Sequence, residues 1–126
     1  MLFRSLKVNQ KIYLASENEL LALKNANSKL RIIGYGYTSD EGSRATLPNY
    51  FDSTFQKTIV PDPNQAVASS TRANICQGDS GGPVLSITPT KVTLLGVVTG
   101  AYASNYCSKK QIDGNYLAAF SVINRF

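Results

Sequence analysis

The sequence predicts an all-β fold, either an antiparallel barrel or a sandwich. Short runs rich in β-branched and aromatic residues, which favour strands, recur along the chain. Gly, Pro, Asn and Asp residues separate these runs at short intervals, as turns require. Hydrophobic residues make up 43% and charged residues 17% of the chain, a balance typical of a folded domain. With 126 residues, the chain is sized for one domain with a single core.

Seven segments have strand character. They cover residues 8–14, 29–38, 49–60, 66–68, 83–87, 91–99 and 115–120. The second is the most convincing, because Ile32 and Ile33 lead into two tyrosines. Pro61 ends the third, since proline cannot donate a hydrogen bond to a neighbouring strand. The segments 83–87 and 91–99 predict a hairpin with a turn between them.

Helical signals are few. Ser16 is a candidate N-cap for a brief helix through 17–21. Residues 121–126 are expected to begin a C-terminal helix. The polar segments between the predicted elements are interpreted as breaks, turns or loops, and they cover residues 25–28, 39–48, 61–64 and 100–114.

The net charge of +5 does not indicate a nucleic-acid partner. Lys and Arg residues are scattered from Arg4 to Arg125, with one adjacent basic pair at Lys109-Lys110, whereas nucleic-acid binding clusters them on one face. No apolar run approaches the roughly 18 residues of a membrane-spanning helix. Residues 1–7 contain no apolar block long enough for a secretory signal peptide. We therefore expect neither a nucleic acid nor a membrane as partner.

Two cysteines, Cys76 and Cys107, allow a single intramolecular disulfide or two buried free thiols. Metal binding is disfavoured, because two cysteines without any histidine leave too few good zinc ligands. No cofactor is expected.

The most informative stretch is Cys76-Gln77-Gly78-Asp79-Ser80-Gly81-Gly82-Pro83. Glycines before and after Ser80 permit backbone dihedral angles that a Cβ disfavours, so the hydroxyl can be presented at a sharp bend. They also let backbone N–H groups approach a bound carbonyl oxygen, as in an oxyanion hole. Turn chemistry alone would explain the residue types but not their order. The stretch resembles the nucleophile loop of the chymotrypsin/trypsin-like serine proteases.

Further stretches resemble other parts of that family. They are Ile32-Ile33-Gly34-Tyr35-Gly36, Gly96-Val97-Val98-Thr99-Gly100 and Asp113-Gly114-Asn115-Tyr116. The likeness covers most of the chain and is strongest over residues 74–116. It implies a six-stranded antiparallel Greek-key barrel, the second half of the trypsin-like fold, with a short C-terminal helix.

The resemblance assigns roles around the serine. Ser80 would be the nucleophile, and the N–H groups of Gly78 and Ser80 would form the oxyanion hole. Asp79 would pair with a newly cut N-terminal amine and order the pocket, since a buried carboxylate needs a partner charge or several hydrogen bonds. Cys76 would form a disulfide with Cys107. That bridge implies a secreted or periplasmic parent protein.

The resemblance also implies a substrate groove with a specificity pocket. The residues expected to bind substrate are Asn74, Ile75, Gln77, Thr99, Gly100, Ala101, Gly114 and Tyr116. Asn74, at the floor of the pocket, is neutral where a carboxylate would select Lys or Arg. Gly100 occupies a position that the family normally fills with a bulky aromatic residue. The preferred substrate is therefore left open.

The proton-accepting half of such a site is missing from the chain. A serine hydroxyl is a poor nucleophile at neutral pH and needs a base. In this family the base is a histidine oriented by an aspartate, and both precede the serine. The chain has no histidine, and nothing in residues 1–79 resembles the barrel that carries these groups. We therefore expect residues 1–126 to be a single domain, the C-terminal barrel, without the N-terminal barrel.

Two functions remain open. The first is a serine-type endopeptidase half, acting through an acyl-enzyme at Ser80 and inactive alone. The alternative is a non-catalytic protease homologue that binds peptides or proteins. The expected partners are a peptide or protein substrate, the missing barrel with its histidine and aspartate, and a second copy of the chain on the exposed inter-barrel face.

The stretch Arg31-Ile32-Ile33-Gly34 also resembles the family's activation cleavage site. Cleavage after Arg31 would leave too few residues before Ser80 to build a six-stranded barrel. We therefore interpret this stretch as part of a strand.

Overall fold

A computed structural model describes residues 11–36, 49–56, 64–71, 75–76, 79–101 and 115–123. These residues contain one helix, α1 (Glu17–Asn25), and seven strands. The strands are β1 (Ile12–Leu14), β2 (Lys29–Gly34), β3 (Asn49–Gln56), β4 (Gln65–Ser70), β5 (Pro83–Ile87), β6 (Val92–Ala101) and β7 (Tyr116–Val122). The predicted all-β class is confirmed. The predicted segments at 8–10, 37–48, 57–63 and 102–114 lie outside the described residues.

Six strands form a closed antiparallel barrel, in the order β6-β5-β2-β3-β4-β7, and β7 pairs again with β6. The predicted six-stranded barrel is thereby confirmed. Strand β1 lies outside this ring and runs parallel to the start of β6, with Ile12 opposite Val92. Closure matters for a small barrel because it removes the unpaired edges that an open sheet would present.

Strand β6 is the longest strand and changes neighbours along its length. Residues 92–94 pair with β1, pairing with β5 runs over residues 92–97, and pairing with β7 runs over residues 96–101. The register shifts twice along β6: the extra residue is Leu95 in the pairing with β5 and Thr99 in the pairing with β7. Such bulges increase the local twist and bend of a strand, which helps a small barrel to close.

The barrel is filled by apolar side chains. Phe55 and Phe120 meet edge to face, with ring centroids 5.5 Å apart and planes at 67°. The other buried members of this core are Ala15, Leu20, Leu30, Ile32, Ala66, Ala68, Ile75, Val84, Leu95, Val98 and Ala118. Burial of the two large aromatic rings contributes much of the hydrophobic stabilisation.

A second, smaller apolar cluster is separate from the core and consists of Ile33, Leu85 and Val92, with Leu94 packed against it. Ile32 and Ile33 are consecutive and both buried, so β2 buries side chains on both faces. Both residues lie within β2, which confirms the strand interpretation of this stretch.

The single described helix begins as predicted. Ser16 Oγ accepts a hydrogen bond from Glu19 N at 3.2 Å, and Glu19 Oε1 accepts one from Ser16 N at 3.3 Å. This reciprocal capping box satisfies two N–H groups at the start of the helix. The helix continues past residue 21 to Asn25, and the turn after it places Asn27 at a φ of 49°. No described helix is long and apolar enough to cross a membrane.

The prediction of a C-terminal helix that begins at residue 121 is wrong for its first residues. Ser121 and Val122 continue β7: Ser121 pairs with both β4 and β6, and Val122 pairs with β6 and donates to Asn64 O at 2.9 Å. Pairing on both sides satisfies their backbone groups and outweighs the local sequence preference. Residues 124–126 lie outside the described residues.

An ion-pair network joins β2 to β3 on the surface. Arg31 Nε donates to Asp52 Oδ1 at 2.9 Å, and Lys29 Nζ lies 3.4 Å from Asp52 Oδ2. The hydrogen bond from Arg31 holds the pKa of Asp52 below its ordinary value, although partial burial opposes this. Because the Asp52 side chain is 33% exposed, water screens the pair. Its net contribution is expected to be about 0–1 kcal/mol.

We predict that Gly96→Ala destabilises the barrel by about 1–3 kcal/mol. An added Cβ would collide with the backbone of Ser121 on the neighbouring strand β7. Gly100→Ala is the matched control in the same strand, because its added Cβ would meet no atom within 4 Å. It should change the stability by less than about 0.5 kcal/mol. Urea unfolding of both variants measures the difference, and equal loss in the two would contradict this account of how β6 and β7 close the barrel.

Candidate functional site

The described part of the nucleophile loop, residues 79–82, is tied to β6 by backbone hydrogen bonds. Gly81 N donates to Val98 O at 2.7 Å, and Val98 N donates to Gly82 O at 2.9 Å. A tight turn within the loop is closed by Gly82 N, which donates to Asp79 O at 3.0 Å. Gly81 has a φ of +86°, a conformation that favours glycine. These bonds fix the chain on both sides of Ser80, whose side chain is exposed.

Asp79 is half-buried, in contrast to the exposed Ser80 that follows it. Its Oδ1 accepts a hydrogen bond from Gly36 N at 2.7 Å, and its Oδ2 accepts one from Cys76 N at 2.8 Å. Bonds from N–H groups to an ionised carboxylate are stronger than those between neutral groups. The loop is therefore fastened to the segment after β2 as well as to β6.

The two glycines of Gly34-Tyr35-Gly36 are required by this arrangement. A Cβ on either glycine would collide with the carboxylate of Asp79. This contact explains why both positions are occupied by glycine. The sequence could not show it, because Gly36 and Asp79 are 43 residues apart.

Ser80 Oγ donates a long hydrogen bond of 3.4 Å to the backbone carbonyl oxygen of Thr99. A carbonyl oxygen can orient the hydroxyl, but it is far too weak a base to accept its proton. The structure thus brings Ser80 next to Thr99, one of the residues expected to bind substrate.

Some of the expected substrate-binding residues lie in the described part of the chain and others lie outside it. Thr99, Gly100 and Ala101 are consecutive in β6, Tyr116 begins β7, and Ile75 is buried in the core. The remaining site residues of the prediction, Asn74, Gln77, Gly78, Cys107 and Gly114, lie outside the described residues. An added Cβ at Gly100 would meet no atom of the described residues within 4 Å.

A cavity of ≈ 270 Å³ adjoins Ser80. Its lining includes Ile33, Tyr35 and Pro83 together with the nucleophile loop. Sequence reasoning missed this cavity, although its walls come from two of the stretches that carried the family resemblance. A larger cleft of ≈ 560 Å³, beside β3 and the end of β4, contains none of the described residues of the loop. We take the smaller cavity as part of the candidate site because Ser80, the expected nucleophile, lines it.

Comparison with known proteins identifies the class. Residues 3–124 match the model of the trypsin family. The chain belongs to the trypsin family of serine proteases, as its nucleophile loop and six-stranded barrel indicate. It is similar to tissue-type plasminogen activator of Rattus norvegicus, with 32% identity over 77 residues, or 56% of this chain. The match spans 13% of that relative's length.

We predict that Gly81→Ala destabilises the protein by about 1–2 kcal/mol, since an L-residue is strained at this positive φ even where space is free. No atom lies within 4 Å of the added Cβ, so a steric clash would not explain the loss. Thermal unfolding against Gly100→Ala separates backbone strain from the loss of a glycine as such. A stability equal to that of the control would show that the loop does not hold residue 81 in the left-handed region.

Proposed function

We propose that this chain is the nucleophile-bearing half of a trypsin-like serine endopeptidase. Ser80 attacks the carbonyl carbon of a peptide bond, and the N–H groups of Gly78 and Ser80 stabilise the resulting oxyanion. The observation that carries the proposal is the loop's geometry: the Ser80 hydroxyl is exposed, while the Asp79 carboxylate beside it is held inward by two amides. Asn74, Gln77 and the β6 residues Thr99–Ala101 would hold the substrate.

The attack needs a base, and this chain lacks the histidine that serves as the base in this family. The hydroxyl proton of Ser80 must pass to a base as the bond to the substrate forms, and that proton later goes to the leaving amine. The sequence has no histidine. We propose that an N-terminal barrel, supplied from elsewhere, provides the histidine and its aspartate.

Exposed apolar side chains on β1 and β5 offer a surface for a docking partner. We call this set the exposed apolar face; it comprises Ile12, Leu14 and Ile87, and Ile12 and Ile87 both lie opposite Val92 of β6. A contiguous apolar surface on a folded domain often marks an interaction site. We propose that the missing barrel covers this face and that, without it, a second copy of the chain does so. Sedimentation at rising protein concentration tests self-association, and a clean monomer throughout would count against it.

We also propose the disulfide between Cys76 and Cys107. Cys76 is buried, and the described part of the chain contains no free thiol. A structural bridge is typical of proteins folded in oxidising compartments, so the parent protein would be secreted or periplasmic.

The second candidate function is a non-catalytic homologue that uses the groove to bind peptides or proteins. The specific observation in its favour is the missing histidine. Both candidates predict peptide binding, so binding alone does not separate them. Activation of Ser80 does.

The decisive experiment labels the chain with a fluorophosphonate, which reacts with an activated serine. We predict that Ser80 is labelled rapidly when a histidine-bearing N-terminal barrel is supplied and slowly without it. Removing a member of the catalytic triad typically slows such chemistry by orders of magnitude. Peptide mapping by mass spectrometry locates the label.

Two controls make the outcome clear. Ser80→Ala with the same barrel should take up no label, and Ser86→Ala, on β5 outside the proposed site, should label like the unaltered chain. If the complete assembly leaves Ser80 unlabelled, the endopeptidase proposal is wrong and the binding function is favoured.

A further inference from the structure

We propose that two exposed tyrosines, Tyr35 and Tyr50, extend the candidate site across strands β2 and β3. We call these two residues the aromatic strip. The strip binds an aromatic or other large apolar side chain of a polypeptide substrate and disfavours a cationic one. This inference rests on the proposed function, because it names a class of substrate for the same site.

The first support is the position of Tyr35 beside Ser80. Both residues line the cavity of ≈ 270 Å³, and Tyr35 is 52% exposed, so its ring is accessible from solvent. On its other side, Ser80 contacts Thr99 of β6 through the 3.4 Å hydrogen bond. A polypeptide that crosses Ser80 with one flank on β6 therefore carries its other flank toward Tyr35.

The second support is that the aromatic surface continues beyond the cavity. Ile33, another residue of the cavity wall, lies directly opposite Tyr50 in the pairing of β2 with β3. Directly opposite residues of an antiparallel pair share one face of the sheet, with Cβ atoms about 5 Å apart. Tyr50 is 47% exposed, so it presents its ring one strand spacing beyond the wall of the cavity.

The third support is Arg31, which determines what the strip accepts. Its Cζ lies 4.2 Å from the centroid of the Tyr50 ring, while its Nε donates to Asp52 Oδ1 at 2.9 Å. The ring therefore already interacts with one cation. Asp52 is shared between Arg31 and Lys29, so the local charge is positive and a second cation is repelled. An aromatic or large apolar side chain gains ring contact without this repulsion.

NMR titration of the 126-residue chain with short peptides tests the proposal. The probe is a glycine-serine peptide, blocked at both ends, with one phenylalanine at its centre; otherwise identical peptides carry alanine or lysine there. We expect the phenylalanine peptide to shift the ring signals of Tyr35 and Tyr50 and to bind about threefold more tightly than the other two, or better. Unshifted rings, or equal affinity for the three peptides, would overturn the proposal.

Tyr50→Ala and Tyr13→Ala form a matched pair of variants. Both tyrosines are 47% exposed, and Tyr13 of β1 also has a cation over its ring, with Lys91 Nζ 5.0 Å from the centroid. Tyr50→Ala should weaken binding of the phenylalanine peptide by about two- to tenfold, because it removes the ring contact. Tyr13→Ala should leave the affinity unchanged. Equal loss in the two variants would contradict binding at the aromatic strip.

Arg31→Met and Lys29→Met test the discrimination against cations. Each substitution removes one positive charge beside Asp52, but the Arg31 guanidinium is the one that lies over Tyr50. Arg31→Met should raise the affinity for the lysine peptide by about two- to tenfold, and Lys29→Met should raise it by less. An equal rise in both would show that overall charge sets the preference, which would contradict the role given to Arg31.

The Ser80→Ala chain separates this inference from the proposed function. Contact with the aromatic strip uses neither the hydroxyl nor a base, so this variant should prefer the phenylalanine peptide as strongly as the unaltered chain. Failed fluorophosphonate labelling with this preference retained would count against the endopeptidase alone. Successful labelling without the preference would overturn the strip alone. If Tyr50→Ala does not fold, Tyr35→Ala replaces it, and the comparison of peptides needs no substitution.

Discussion

The arrangement at the site depends on one carboxylate. Asp79 accepts hydrogen bonds from amides on two separate segments, and its own backbone carbonyl closes the turn around Ser80. A half-buried charge of this kind is costly unless several donors surround it. Here the donors are Gly36 N, just after β2, and Cys76 N, within the loop, so the position of Ser80 depends on the contact between the segment after β2 and this loop.

Barrel closure also explains where the nucleophile lies. Strand β6 pairs with β5 as far as Val97 and with β7 from Gly96 onward, and the loop that precedes β5 bonds back to β6 at Val98. Ser80 therefore sits against Thr99, at the start of the stretch expected to bind substrate. Under the proposed function, this chain supplies the groups that attack and stabilise, and a second barrel supplies the group that accepts the proton.

Much of the fold and of the candidate site could be predicted from local signals in the sequence. The serine loop, the hairpin of β5 and β6, and the capping box at Ser16 each follow from a few adjacent residues. The extent of β4 and the end of β7 could not, because small or polar residues there become strands through pairing with distant partners. Nor could the amide bond between Gly36 and Asp79, which joins residues far apart in the chain. Gly34, Gly36 and Asp79 can all be read from the sequence, but the contact between the carboxylate and the two glycines cannot.

The central claim is that Ser80 is a competent nucleophile that lacks only an external base. The most direct measurement is the rate at which a fluorophosphonate modifies Ser80, with and without the histidine-bearing barrel, at equal protein concentration. We predict that this rate rises by orders of magnitude on addition of the barrel and falls to background in Ser80→Ala. A rate unaffected by the barrel, in an assembly shown to form, would contradict it.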